Sequence, residues 1–357
     1  MNRAQKNSDN FSSLYHQLKE ESASITEAGW PHKQLIACDQ HGVYRWFLPP
    51  KWGGNNFPEA KITQGYIDLS SACLTTAFVL TQRQGAVKRI LSSKNEYLKQ
   101  KYLPKLASSE MFATVGISHL TTSRRHLKQQ VLLAENTKGG YILNGMSPWV
   151  TGAVKADLIV MGAELNDGRQ ILFTLKPSTP GVHCNEPAKL VSLSESLTGA
   201  VELSDVFVPD TDILAGPVVD VLQQGAGGNT GGLQTSTLAL GLSDAAISYL
   251  EDEAVIRTEI SPPTQKLRQQ WQSLHDQLLA LTQAANSEKS SLLRSQVNSL
   301  TLRATHSAIA VAKGAGFIQG HPTGLWCQQA LFFLVWSCPK NVLHTNICEL
   351  AALPTDF

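Results

Sequence analysis

The sequence predicts an α+β fold in three successive parts: an N-terminal helical domain over residues 1–109, a middle antiparallel β-barrel or sandwich over 110–216, and a C-terminal helical bundle over 217–357. Three observations carry that reading. Apolar stripes at helical spacing, separated by polar turns, fill the first stretch. Short β-rich runs broken by Gly and Pro fill the second, with no helical pattern between them. In the third, apolar residues return at alternating steps of four and three.

In the first part the helical pattern is interrupted at Pro49-Pro50 and Gly53-Gly54. The segment from Leu69 to Leu91 is apolar on most faces, which predicts a helix buried against another domain. In the middle part the strand-like runs are Gln130 to Ala134, Tyr141 to Leu143, Asp157 to Ala163, Ile171 to Leu175 and Ala200 to Val208. They are punctuated by Lys138-Gly139-Gly140, Asn166-Asp167-Gly168 and Pro180-Gly181, which supply the positive φ and preset turns that reverse a chain. In the last part Leu267, Trp271, Leu274, Leu278, Leu281 and Ala285 fall on one helical stripe. Leu292 to Lys313 repeats the pattern after the polar turn Asn286 to Ser291, and Ala330 to Trp336 ends the series. The joint Gly225 to Gly232 is no nucleotide loop, because Thr230 stands where a third glycine is needed and no Lys-Ser/Thr follows. It predicts a flexible hinge at the mouth of a pocket.

Composition narrows the function classes. Lys plus Arg number 30 and Asp plus Glu 29, so the net charge of +1 excludes a bulk polyanion binder. Charged residues make up only 17%, against about 25% in an average soluble domain. That deficit predicts a surface covered by a partner subunit, or a large pocket. Cys38, Cys73, Cys184, Cys327, Cys338 and Cys348 contain no CxxC pair, which argues against a disulfide framework or a zinc knuckle and fits a reducing cytosol. The start of the chain has no apolar leader core, and the longest unbroken apolar run, Ala330 to Trp336, is far short of the ~20 residues that span a bilayer. The expectation is a cytoplasmic protein with no membrane insertion and no nucleic-acid partner.

Several fragments, taken in order, carry a resemblance. Phe47 to Gly54 reads FLPPKWGG, Lys101 to Ala107 reads KYLPKLA and is closed by Glu110, and Gly140 to Gly145 reads GYILNG. Trp149-Val150-Thr151-Gly152-Ala153 with Ala156-Asp157 follows, then Pro180-Gly181-Val182, then VELSDVFVP from Val201 to Pro209. Together they resemble the acyl-CoA dehydrogenase family along nearly the whole chain. The resemblance implies a four-helix C-terminal bundle, FAD as cofactor, an acyl thioester on CoA or an acyl carrier protein as substrate, and a homodimer or homotetramer. It implies that Trp149 and Thr151 stand beside the isoalloxazine, that Ser118 replaces a threonine hydroxyl of the flavin loop, and that Arg257 reaches the FAD pyrophosphate of a neighbouring subunit. The residue types suit those roles: a flavin needs an aromatic wall and a few hydrogen-bonding groups, and a guanidinium grips phosphate bidentately. A packed barrel tryptophan with a solvent-facing threonine, and an ordinary helix-surface arginine, are the plain alternatives.

The pattern also breaks. The family flavin loop falls on Ser118-His119-Leu120-Thr121-Thr122-Ser123-Arg124-Arg125, where Arg124 and Arg125 replace Ser and Asp. They form either a phosphate-binding pair or a solvated basic loop. The family's catalytic glutamate, which removes the substrate α-proton, falls on Ser337, and no Asp or Glu occurs between Glu288 and Glu349. A lone serine is a poor base. Cys338 serves only as a thiolate of depressed pKa, or else packs as a small residue. His119 and His321 are the replacement bases to test first; the separations of His119 from His126 and of His321 from His344 are not metal-ligand spacings. Three functions follow: a flavin-dependent oxidoreductase acting on the CH–CH group of an acyl thioester, a flavin-dependent monooxygenase of the same fold, and a non-catalytic acyl-thioester-binding subunit. The electron acceptor is not legible.

Overall fold

A computed structural model describes residues 3–22, 25, 29–121, 131–223, 231–284 and 286–353. The N-terminal helices are α1 (Arg3–Glu21), α2 (His32–Gln40), α3 (Glu59–Ala72), α4 (Leu74–Ser92) and α5 (Glu96–Leu106). The apolar segment expected as one helix is two, because Cys73 between α3 and α4 is extended at φ −159°. The Pro/Gly break before α3 is a short 3-10 turn over Pro50–Trp52. Gly54 follows it so closely that a Cβ there would meet the Leu48 carbonyl oxygen at 1.8 Å. Asn95 caps α5, its Oδ1 accepting from the Leu98 amide at 3.1 Å.

Eight strands form the middle sheet: β1 (Ala113–Gly116), β2 (Leu132–Thr137), β3 (Gly140–Thr151), β4 (Leu158–Glu164), β5 (Gln170–Leu175), β6 (Val182–Cys184), β7 (Thr198–Pro209) and β8 (Ile213–Val218). Their order is β6-β7-β3-β2-β4-β5-β8, with β1 paired to β4. The expectation of a purely antiparallel domain is corrected here. β1 runs parallel to β4, from Ala113 opposite Leu158 to Gly116 opposite Met161, and a single parallel bridge joins Leu133 to Glu164. The remaining pairs are antiparallel. β1 escaped the sequence reading because all four of its residues are buried, so no alternation marks it. It enters from α5, and the β2–β3 hairpin returns the chain to β4 in the same direction.

The C-terminal helices are α6 (Gly231–Ala254), α7 (Ser261–Gln283), α8 (Ser287–Ala312), α9 (Pro322–Val335) and α10 (Lys340–Leu350). Trp271, Leu274, Leu278 and Leu281 of the expected stripe are buried along α7, and Leu267 packs against the same core; Ala285 lies outside the described residues. α10 lies beyond the run expected to end the series. The N-terminal helices and the bundle share one apolar core, which joins Ile67 and Phe78 to Leu242, Leu278 and Leu300. α3 crosses α6 at Gly241, where a Cβ would come within 2.3 Å of the Ile67 carbonyl oxygen, and Ser70 Oγ donates to the Leu238 carbonyl at 2.7 Å. The sheet has its own core around Leu143, Met161 and Phe173. A third cluster joins Ala86, Val87 and Ile90 of α4 to Val115 and Val160. The expectation of a helix buried against a second domain is met by α4.

Where α3, α6 and α7 meet, Asp68 is partly buried. Burial raises its carboxyl to about 6, with the Asp244 carboxylate adding to the rise, although Gln64 Nε2 donates to Oδ1. A folded-state value above the unfolded one favours the native state below the ordinary carboxyl range, and that contribution is lost as pH rises through about 6. Asp68→Asn keeps the acceptor for Gln64 and removes the charge. In urea unfolding the variant should match the wild type near pH 4 and exceed it by roughly 1–2 kcal/mol at pH 8; a difference that does not change with pH contradicts this.

Candidate functional site

The three parts of the chain meet around a cavity of about 770 Å³. That volume lies in the range of small-molecule and cofactor sites, roughly 300–1,000 Å³. α4 supplies one wall with Phe78, Gln82, Gly85 and Arg89, at steps of four, three and four, so one face of the helix lines the cavity. The end of β1 and the turn after it supply Val115, Ser118 and Thr121; β3 supplies Trp149 and Thr151. α9 and the residues after it close the far side with Gln328, Phe332, Trp336 and Ser337. The pocket anticipated from the low charge content is present.

Four residues singled out from the sequence therefore come together: Ser118, Trp149, Thr151 and Ser337 all line this one cavity. β3 is long enough to carry both Trp149 and Thr151, and a register shift against β7 between Ser147 and Val150 marks the strand where Trp149 projects. Trp149 lines the cavity and is 50% exposed. Among the described residues, Ser118 Oγ is buried with no hydrogen-bond partner, an unmet hydrogen-bonding capacity beside the cavity. The Thr151 side chain is buried, and its hydroxyl meets Thr198 Oγ1 at 2.9 Å, which in turn meets Ser196 Oγ at 2.8 Å. If Ser196 donates to Thr198 and Thr198 to Thr151, the Thr151 O–H is left to donate into the cavity.

The other candidates are placed elsewhere. His119 does not line the cavity; its ring is buried with Nε2 on the Gly162 carbonyl at 2.9 Å, and burial pulls it down to about 4. It is neutral at pH 7 and too weak and too enclosed to serve as a base. His321 caps α9, Nδ1 accepting from the Thr323 amide at 3.3 Å, and its ring stands against Tyr249. Both histidine proposals for the base are thus corrected: one is a buried packing residue and the other a helix cap. Arg257 does not line the cavity either; it donates to the Val311 carbonyl at 2.6 Å and pairs with Glu253 at 3.2 Å. Burial pushes the Cys338 thiol up, opposite to the shift a thiolate needs, although Arg294 acts the other way. Arg124, Arg125, His126 and the glycine-rich joint from Gly225 to Thr230 lie outside the described residues. Among the described residues no cluster of His, Cys, Asp or Glu suits a metal ion.

Ser337 is held from behind. Its backbone is left-handed at φ 46°, a costly conformation for a residue with a side chain. The buried Arg294 guanidinium spans the turn, Nη1 donating to the Ser337 carbonyl and Nη2 to the Trp336 carbonyl, each at 2.5 Å. Arg294 was not found in the sequence, because an arginine inside the α8 pattern reads as a surface residue. Arg89 and Asp220 were missed in the same way; among the described lining residues they are the only charged side chains. Phe78, Gln82, Gly85 and Arg89 already shared a stripe in the sequence, and that spacing was the available signal.

No protein-family profile matches the chain. A glutaryl-CoA dehydrogenase of Desulfococcus multivorans is 28% identical over 201 residues, which cover 54% of this chain and 51% of that protein; the chain thus spans about half the length of this relative. Among solved structures, a glutaryl-coenzyme A dehydrogenase in complex with glutaryl-CoA superposes with a TM-score of 0.83 at 15% identity, covering 99% of this chain and 97% of the other. A structure described as PigA with FAD and proline superposes with a TM-score of 0.82 at 17% identity, covering 99% of each chain. The chain has the acyl-CoA dehydrogenase fold and is similar in sequence to a glutaryl-CoA dehydrogenase.

The anchoring of Ser337 is testable without any ligand. Removing the guanidinium leaves two partly buried carbonyls unpaired, so Arg294→Met should lower stability by roughly 2–4 kcal/mol in chemical denaturation. Arg294→Lys should not restore it, since a point charge replaces a planar fork. A loss within error for either variant contradicts this role.

Proposed function

We propose that this chain is a FAD-dependent oxidoreductase of acyl-CoA dehydrogenase type, acting on the CH–CH group of an acyl thioester. The single observation that carries the proposal is the cavity wall formed by Ser118, Trp149 and Thr151. The residues fit an isoalloxazine. The half-exposed Trp149 offers an aromatic side chain, and Ser118 and Thr151 add hydroxyls to the same lining. When bound, FAD supplies the acceptor for the electron pair that leaves the substrate β-carbon as hydride.

The chain's own contributions follow from the wall. Phe78, Leu331, Phe332 and Val335 make one side apolar and exclude water from an acyl chain. Ser337 occupies the position from which the α-proton is removed. With no neighbouring acid or base in sequence to activate it, its hydroxyl takes a proton poorly, so turnover of simple saturated acyl thioesters should be slow. The lack of a carboxylate there favours one second reading, oxygen activation on the same fold, which needs no α-proton base. Assembly as a homodimer or homotetramer in the cytoplasm completes the proposal. Val255 and Ile256, beside Arg257, are 80% and 85% exposed, and Val335, Ile347 and Leu350 on α9 and α10 are also exposed apolar side chains; such patches suit subunit contacts. The six cysteines are unpaired, as a reducing compartment requires. No described helix is long and apolar enough to cross a membrane.

Two measurements test the reading. Trp149→Ala should weaken FAD binding by about tenfold or more and alter the bound absorbance envelope, because it removes the ring's aromatic wall; unchanged occupancy and spectrum return Trp149 to a packing role. Ser337→Glu places a carboxylate at the base position, and a positioned general base contributes about 10²–10⁴-fold. Anaerobic bleaching of the flavin by hexanoyl-CoA should then rise at least tenfold over the wild type. No gain in a folded, flavin-loaded variant contradicts dehydrogenation at this site and leaves the oxygen-activating reading.

A further inference from the structure

Arg89 is a cation on the cavity wall with no carboxylate partner among the described residues. It lies near the C-terminal end of α4 on the cavity-lining stripe. Its Nη1 donates to the Gly85 carbonyl at 2.8 Å, within its own helix. Gly85, with no side chain, lets the guanidinium lie back along the wall; a Cβ at Gly85 would meet Nη1 at 3.4 Å. Among the described residues no carboxylate pairs with Arg89, and burial alone, with no acid opposing it, pulls its guanidinium down to about 10. It remains protonated at neutral pH. Asp220, the other charged residue of the described lining, has an interaction of its own.

Holding an unpaired guanidinium in a partly desolvated wall costs free energy. A protein that merely filled this position would use an apolar or small side chain, as α4 does at Phe78 and Gly85. Arg89 is partly buried and contributes to the cavity lining. Gln82, Gln170 and Gln234 add amides to the same lining, which both donate to and accept from a polar group.

We propose that Arg89 is the anion-recognition point of this cavity and selects a thioester ligand that carries an oxyanion. The proposal rests on the reading of the cavity as an acyl-thioester site. The oxyanion has two sources of one chemistry: a carboxylate at the far end of the acyl chain, or a phosphate of the carrier.

The test uses four probes and needs neither flavin nor turnover: hexanoyl-CoA, adipoyl-CoA, and the phosphate-free N-acetylcysteamine thioesters of the same two acyl groups. Binding is read by calorimetry or by quenching of tryptophan fluorescence, on wild-type protein and on Arg89→Met, with folding checked by circular dichroism. A charge-assisted pair predicts a loss of about tenfold or more. If Arg89→Met weakens only the two adipoyl probes, the oxyanion is the acyl carboxylate; if it weakens only the two CoA probes, it is the carrier phosphate. Equal affinities in both proteins, or an equal loss that includes the uncharged hexanoyl N-acetylcysteamine thioester, overturn the proposal. Should Arg89→Met not fold, the wild type alone decides: the charged probes must bind at least tenfold tighter than the uncharged one, and four equal affinities overturn it. Failure of FAD binding would count against the flavin reading while leaving these affinities measurable.

Discussion

The structure depends on the burial of α4 on two sides at once. One side packs into the core shared with α3 and α6, through Ala77, Phe78 and Leu80. The other packs on the sheet, through Ala86, Val87 and Ile90 against Val115 and Val160. A helix wedged in this way fixes the distance between sheet and bundle, and the face left between its two packed sides becomes the wall of the cavity. Apolar burial on both sides, at about 25 cal/mol for each Å² removed from water, makes sliding of α4 expensive. The cavity is therefore a consequence of packing, and its shape is set before any ligand arrives.

How much of this was legible in the sequence depends on what each signal encodes. The three-part order was legible because period 3.6 and period 2 are properties of single segments. β1 was not, since a four-residue strand buried on both faces has no period, and its partner β4 is supplied by a distant part of the chain. Ser118, Trp149, Thr151 and Ser337 were legible through a family resemblance, and they do share one cavity. His119 and His321 were misjudged because sequence adjacency to a motif says nothing of where a ring points. Arg89 stayed hidden for a related reason. Helical spacing shows that Phe78, Gln82, Gly85 and Arg89 share a face, but an empty cavity and a packed core produce the same spacing.

The chemistry of the cavity is uneven in an informative way. One wall carries Trp149 with the hydroxyls of Ser118 and Thr151, and among the described residues Ser118 Oγ has no hydrogen-bond partner. Across the cavity Ser337 sits in a turn whose backbone is anchored by Arg294. Anchoring two carbonyls with a buried guanidinium is an expensive arrangement to retain if the turn serves no purpose. On the function proposed above, such a site positions a ligand against Ser337 with no carboxylate at that position to remove an α-proton.

That account has flavin binding at its centre, and the flavin itself is the most direct thing to measure. The protein, purified under non-denaturing conditions, is incubated with FAD, freed of excess and denatured, and the released flavin is identified and counted per chain. The account predicts FAD, close to one per chain. A colourless protein that releases no flavin and takes up none on reconstitution would contradict it.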